Sequence, residues 1–319
     1  MNTINSTIKG KAFEYACLLA IKETIETIRP VRIEKNSSYI IAKDRFEHEI
    51  DIYEQKEMLS SAKVGINSII EMEPKIIEDG NDALEISLQP DTTATKYGDV
   101  RDVLIIRRNI NWEIGISVKH NHSALKHSRL SRTLDFGKVW LDKNCSEEYF
   151  SSIAPIFNLW DEYKNENLKW SELESKEDEI YIPLLNSFRE ELYNINSNGD
   201  IAVALIKYLI GSNGKDYYKL ISNNNRTTTV IPFNLFGTLN QAANTIQPKI
   251  NIPKIKLPTK ILDFSFKEGS KTTLILTLNN CWVISFRIHN ASTYVESSLK
   301  FDIQLKGMPS DIFYINKAW

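Results

Sequence analysis

The stretch from Val100 to Lys119, VRDVLIIRRNINWEIGISVK, decides the reading of the chain, because its pattern folds back on itself. Val103, Leu104, Ile105 and Ile106 form a run rich in β-branched side chains, and Asn109 to Asn111 supply turn-compatible residues. Ile114, Ile116 and Val118 then recur at the period of two that marks a strand. Partners in an antiparallel hairpin have residue numbers with a constant sum. A reversal centred near Ile110 therefore predicts Arg107 opposite Ile114, Ile105 opposite Ile116 and Asp102 opposite Lys119. Opposed side chains share a face, with Cβ atoms ~5 Å apart. One acid and one amine are thus expected side by side at the open end of the ribbon.

An exposed pair of this kind is ordinarily a weak surface salt bridge. Two features point further. Asp102 interrupts an otherwise apolar strand, and Lys119 opens KHNHSALKHSRLSR, which carries Lys126, Arg129, Arg132, His120, His122 and His127. From Ile114 through Leu134 there is no Asp or Glu. A solvated face usually mixes signs, so a tract of one sign suits a polyanion. Hydrolysing a phosphodiester requires an activated water and charge stabilisation on the scissile phosphate, which Mg²⁺ held by one or two carboxylates provides. Lys119 would position or deprotonate that water and neutralise developing charge.

The segments GDVRDVLII and GISVKHN, the N-terminal KGKAFEYACLLA and the C-terminal SFRIHN and LKFDIQL together resemble the HaeIII-type family of type II restriction endonucleases. The similarity runs over nearly the whole chain. It implies cleavage of double-stranded DNA at GGCC, a PD-(D/E)xK nuclease core, and a companion methyltransferase protecting host DNA. By analogy with that superfamily, Asp102 takes the first acidic position, preceded by Arg101 where proline is usual, and Lys119 takes the lysine. The acidic position two residues before the lysine is Ser117, so a second carboxylate must come from elsewhere.

Four acids could supply it. Glu14 is the first choice: on a helix from about Ile8 toward Ile28 it shares a stripe with Gly10, Cys17, Leu18 and Ile21, and an acid on an apolar stripe costs free energy unless a partner or metal satisfies it. Related nucleases also add an acid from an N-terminal helix. Asp99, just ahead of the strand, comes second as a metal ligand. Glu113 stands roughly 20 Å from Lys119 along a strand rising ~3.3 Å per residue. Asp91 completes a literal Pro-Asp pair but lies in the polar loop QPDTTATKYGD, and is read as a decoy. The string His120-Asn121-His122 is a coincidental HNH, and a zinc site from the three histidines lacks further ligands.

The chain has 319 residues, a formal net charge of −2 and 42% hydrophobic residues, as a protein of one large domain or two joined parts would. The near-neutral total conceals a division: residues 200–319 carry +7 and residues 1–199 carry −9. Tyr217 to Leu262 holds no acid, and its Lys219, Arg226, Lys249, Lys254, Lys256 and Lys260 make a second basic tract. Candidate DNA contacts are His120, Asn121, His122, Lys126, Arg129, Arg132, Arg226, and Arg287 with His289 and Asn290. Guanine N7 and O6 invite bidentate Arg or Lys, although about half or more of such contacts go to the DNA backbone. Three scattered cysteines suggest neither a disulfide framework nor a metal knuckle. With no apolar signal core and no membrane span, a cytoplasmic protein is expected.

The expected fold is α/β, a mixed sheet flanked by helices, with residues 1–212 as nuclease core and helical insertion and residues 213–319 as a β-rich recognition part. Helices are predicted after Asp44, at Ile66–Ile77, at Leu130–Trp140 and onward to Leu209, with a strand at Ala83–Leu88. From Tyr217 strands dominate: Val230–Leu235, Leu262–Phe266, Thr272–Leu278, Cys281–Ile288 and Leu299–Leu305. A symmetric target suggests a homodimer. Two other readings stand beside this one: a structure-specific repair or recombination nuclease, and a non-cleaving DNA-binding module.

Overall fold

The computed structural model describes residues 6–78, 80, 82–92, 99–121, 125–211 and 214–319, with His127 described by its backbone alone. Helix α1 (Ser6–Ile25) is buried almost all round, from Ala12 to Ile21 and at Ile25. Its small residues Ala12, Ala16 and Ala20 are wholly buried, and Glu14 is buried among them. The apolar stripe expected for an amphipathic helix is therefore a full circumference, as befits a helix enclosed on all sides. Pro30 separates it from strand β1 (Val31–Ile33), a three-residue element not foreseen in the sequence. Helix α2 (Ser37–Asp44) starts where Asn36 accepts a hydrogen bond from the Tyr39 amide, and α3 (Ile52–Met72) where Asp51 accepts from the Tyr53 and Glu54 amides. The helices expected after Asp44 and at Ile66–Ile77 are largely this one helix, which stops before Pro74.

The chain divides into two compact units, residues 1–123, 212–255 and 311–319 in the first and residues 124–211 and 256–310 in the second. The chain passes between the units four times, and the C-terminal strands are shared out between them. The first unit holds a seven-stranded mixed sheet in the order β1-β2-β3-β4-β6-β7-β12. Its strands are β1, β2 (Leu84–Leu88), β3 (Val103–Arg107), β4 (Trp112–His120), β6 (Tyr217–Asn223), β7 (Thr227–Phe233) and β12 (Ile315–Ala318). Strands β1 and β2 run parallel, as do β4 and β6; the other neighbours are antiparallel. Helices α1 and α3 cover the face bearing Val103, Ile105, Ile114, Ile116, Val118, Tyr218 and Leu220.

The hairpin β3–β4 forms, with a register two residues from the one expected. Arg107 faces Trp112, Ile105 faces Ile114, and Val103 faces Ile116. A 3₁₀ turn over Arg108–Ile110 and Asn111 in the left-handed region (φ 50°) make the reversal two residues shorter than the even spacing suggests. Because side chains alternate with period two, a shift of two residues leaves every side chain on its expected face.

The second unit contains the antiparallel sheet β5-β11-β10-β9-β8. Its strands are β5 (Lys126–Ser131), β8 (Ile261–Phe266), β9 (Thr273–Leu278), β10 (Val283–His289) and β11 (Ser298–Gly307). Helices α4 (Phe136–Leu141), α5 (Glu147–Asn165), α6 (Ile182–Ile195) and α7 (Ala202–Leu209) belong to the same unit. Phe188 of α6 meets Phe264, Phe286 and Phe301 with ring centroids 5.1–5.9 Å apart, which seats the helix on one sheet face. The helix expected at Leu130–Trp140 is corrected to a strand followed by the short α4. Leu130 pairs with Leu299 and Ser128 with Phe301, so tertiary pairing with β11 overrides local preference.

Candidate active site

Asp102 lies at the point where β3 stops pairing with β4. Its own amide still donates to Ile116 O at 2.8 Å, but one step further the ladder has no β3 carbonyl to offer, and the Asp102 carboxylate takes its place. Oδ2 accepts from the Val118 amide at 2.6 Å and from Lys119 Nζ at 3.1 Å, with Ser117 Oγ at 3.5 Å. The acid and amine side chains are about one-fifth exposed (22% and 20%). They meet diagonally across the hairpin rather than directly opposite.

Glu14 is the third residue expected at this site. It is 6% exposed, and both burial and the neighbouring Asp102 charge push its carboxyl up to about 8. Lys11, one turn earlier on α1, opposes that shift, as does Lys119. Lys11 Nζ lies 3.1 Å from both Glu14 oxygens and 2.6 Å from Asp91 Oδ1. Asp91, read as a decoy, therefore joins the cluster through a lysine that sequence reasoning missed; only the i,i+3 spacing of Lys11 and Glu14 hinted at it.

The other two acids are engaged elsewhere. Arg101 lies across Gly115, where a Cβ would stand 2.1 Å from Arg101 Cδ, so only glycine admits the crossing. Its guanidinium donates to both oxygens of Asp99 (Nε 2.9 Å, Nη2 2.7 Å) and to Glu113 at 2.9 Å, while Lys215 also reaches Glu113 at 3.1 Å. Despite burial, Arg101 holds the Asp99 carboxyl below the usual carboxylate range. Expected as a metal ligand, Asp99 instead has both of its oxygens bonded to a guanidinium. Lys219 of β6, counted in the second basic tract, is 2% exposed, sits opposite Ser117 in the parallel pair and interrupts the apolar run of β6.

The expected DNA contacts fall into two groups. In the first unit, His120, Asn121 and Arg226 line a polar cavity of about 230 Å³ together with Lys9, Glu54 and Ser222. His120 also packs its ring edge on Phe13 at 5.6 Å, and burial lowers its basicity. His122 lies outside the described residues.

In the second unit, Arg129 binds Glu296 and Ser298, and Arg132 binds Asn158 and Asp161. Arg287 is exposed and faces Asp302, and His289 is half-buried opposite Lys300. Asn290 spends its amide on the carbonyls of Ser292 and Tyr294. Lys126 departs from the surface role expected of it: it lies 3.6 Å over the Tyr208 ring, mostly buried, with its ammonium pushed down to about 8 by desolvation.

The donors suit a hard divalent cation. Asp102 and Glu14 offer carboxylate oxygens whose charges repel one another, and Asp102 Oδ1 accepts no hydrogen bond among the described residues. No group of three or more His, Cys, Asp or Glu able to hold a metal occurs among those residues. Mg²⁺ nevertheless keeps several waters and is satisfied by one or two carboxylates.

Comparison with known proteins identifies the family. The family model described as HaeIII restriction endonuclease matches residues 10–309. The type II restriction enzyme HaeIII of Haemophilus aegyptius is 44% identical over 317 residues, covering 98% of each chain. No solved structure matches. With a family match that spans both units and a relative 44% identical over nearly its whole length, the chain belongs to the HaeIII restriction endonuclease family.

Proposed function

We propose that the protein hydrolyses phosphodiester bonds in double-stranded DNA at GGCC, as a type II restriction endonuclease with a PD-(D/E)xK core. The observation that carries this reading is the 3.1 Å contact of Lys119 with Asp102, with the interior carboxylate of Glu14 close enough for its charge to be felt. Asp102 and Glu14 would hold Mg²⁺. When bound, the ion would supply a polarised water and neutralise charge on the scissile phosphate.

The chain's own groups do the rest. The Val118 amide fixes the Asp102 carboxylate through Oδ2, leaving Oδ1 for a ligand. Lys119 orients the attacking water and offsets the negative charge that develops. Ser117 stands where the superfamily carries its second acid, and Glu14 replaces that acid from the helix side. Asp99 drops to a supporting role, holding Arg101 beside the site.

His120, Asn121 and Arg226 would follow the DNA backbone near the metal site, and Arg129, Arg132, Arg287 and His289 would contact it from the second unit. A two-fold target favours a homodimer, and host protection calls for a partner methyltransferase. No helix among the described residues is long and apolar enough to cross a membrane, and cytoplasmic DNA is the fitting substrate.

Plasmid digestion with Mg²⁺, followed by sequencing of the ends, tests the reading. Discrete bands with every end inside GGCC, abolished by a chelator, are expected. Nicking at branched structures would support a repair nuclease instead, and binding without cutting would support a non-cleaving module.

A further inference from the structure

Lys11 joins two acids from different elements. Its ammonium bonds both oxygens of Glu14, which is 8% exposed at the side chain, and the carboxylate of Asp91, which is 78% exposed beyond β2. Lys11 itself is 16% exposed, so this contact is far better shielded from water than an ordinary helix-surface pair. Both oxygens through which Glu14 would bind a metal already receive an N–H donor.

Resting on the assignment of Glu14 as a metal ligand, we infer that Lys11 is a positioning residue of the metal site. Its ammonium holds both Glu14 oxygens, and a divalent ion must take Glu14 from it in order to bind. The exchange breaks no bond between heavy atoms: Glu14 trades two N–H donors for the ion and gives up to solvent any proton it carries, and Lys11 keeps its proton and its contact with Asp91. Asp91 is the acid that receives the released charge, which gives the exposed carboxylate a function without placing it on the metal.

Binding of Mn²⁺ to the full-length protein without DNA, followed by the electron paramagnetic resonance of the free ion at one fixed pH, tests this. Lys11→Met removes the competitor and should tighten Mn²⁺ binding about tenfold, the scale of one charge-assisted hydrogen bond. Lys11→Arg keeps the charge and should stay within roughly twofold of the parent, since the competition is ionic. Asp91→Asn, an exposed change that leaves α1 intact, should weaken binding by about two- to fivefold, the scale of a surface ion pair.

A damaged fold would weaken binding in Lys11→Met, whereas the inference requires tightening. Unchanged or weaker binding in Lys11→Met, with Glu14→Gln strongly impaired, overturns the role of Lys11. Unimpaired binding in Glu14→Gln overturns the assignment of Glu14 itself.

Discussion

Asp99 and Asp102 stand three residues apart at the entrance to the same strand, yet their surroundings differ in kind. Asp99 is buried and gives both oxygens to one planar guanidinium; Asp102 is partly open and gathers its donors on one oxygen. A carboxylate locked by an arginine fork is a structural clamp. One with an oxygen to spare is a ligand in waiting. The difference comes from where β3 ends: Arg101 can fold back over Gly115, while Asp102 must replace a missing ladder partner.

The sharpest way to break that contrast is to neutralise each acid in turn. Asp102→Asn should lower cutting by roughly 10³-fold or more while leaving specific DNA binding measurable in Ca²⁺, because charge stabilisation at the reacting centre is lost. Asp99→Asn should retain most of the cleavage rate per folded molecule and instead lose ~3 kcal/mol of stability, since the buried guanidinium loses its main ionised partner and keeps only Glu113. Cleavage kinetics and urea unfolding on the two variants decide the matter; comparable rates of cutting would erase the distinction.

A second acid sharpens it through pH. Burial, and then the Asp102 charge, push the Glu14 carboxyl up to about 8 in the folded protein against 4.5 for a free glutamate. Between those values the folded state keeps a proton that the unfolded chain has lost. Its contribution to stability therefore falls as pH rises from about 5 to about 8. Relative to Glu14→Gln, the metal-free parent should lose melting temperature across that window, and parallel curves would contradict the shift.

The smallest effect concerns the second unit. Arg287→Ala should reduce the salt dependence of DNA binding by about one phosphate equivalent and leave the single-turnover rate on saturated enzyme unchanged, if Arg287 contacts the backbone. An unaltered salt slope would remove it from the interface.

Much of this was legible in the sequence because alternation is insensitive to a slip of two. The hairpin could be misregistered and still bring Asp102 to Lys119, and the burial of Glu14 followed from its place on an apolar helix. What could not be read depends on distant partners. Strand β5 exists because β11 pairs with it, and Lys126 lies inward because that pairing faces it toward Tyr208. The fate of Asp99 hung on Gly115, fourteen residues after Arg101 in sequence but directly beneath it in space. Lys11 and Asp91 are eighty residues apart, and no local pattern couples them.

The parallel pairing of β4 with β6 carries a consequence for biosynthesis. Residues 121–216, including the first stretch of the second unit, must leave the ribosome before Lys119 gains its neighbour Ile221. At ~5–20 residues per second that interval is about 5–20 s, during which the strand bearing Lys119 has its hairpin mate on one flank and an unzipped margin on the other. The nascent chain thus carries the acid and the amine early, but a rigid seat for them arrives only after the intervening segment has been threaded out.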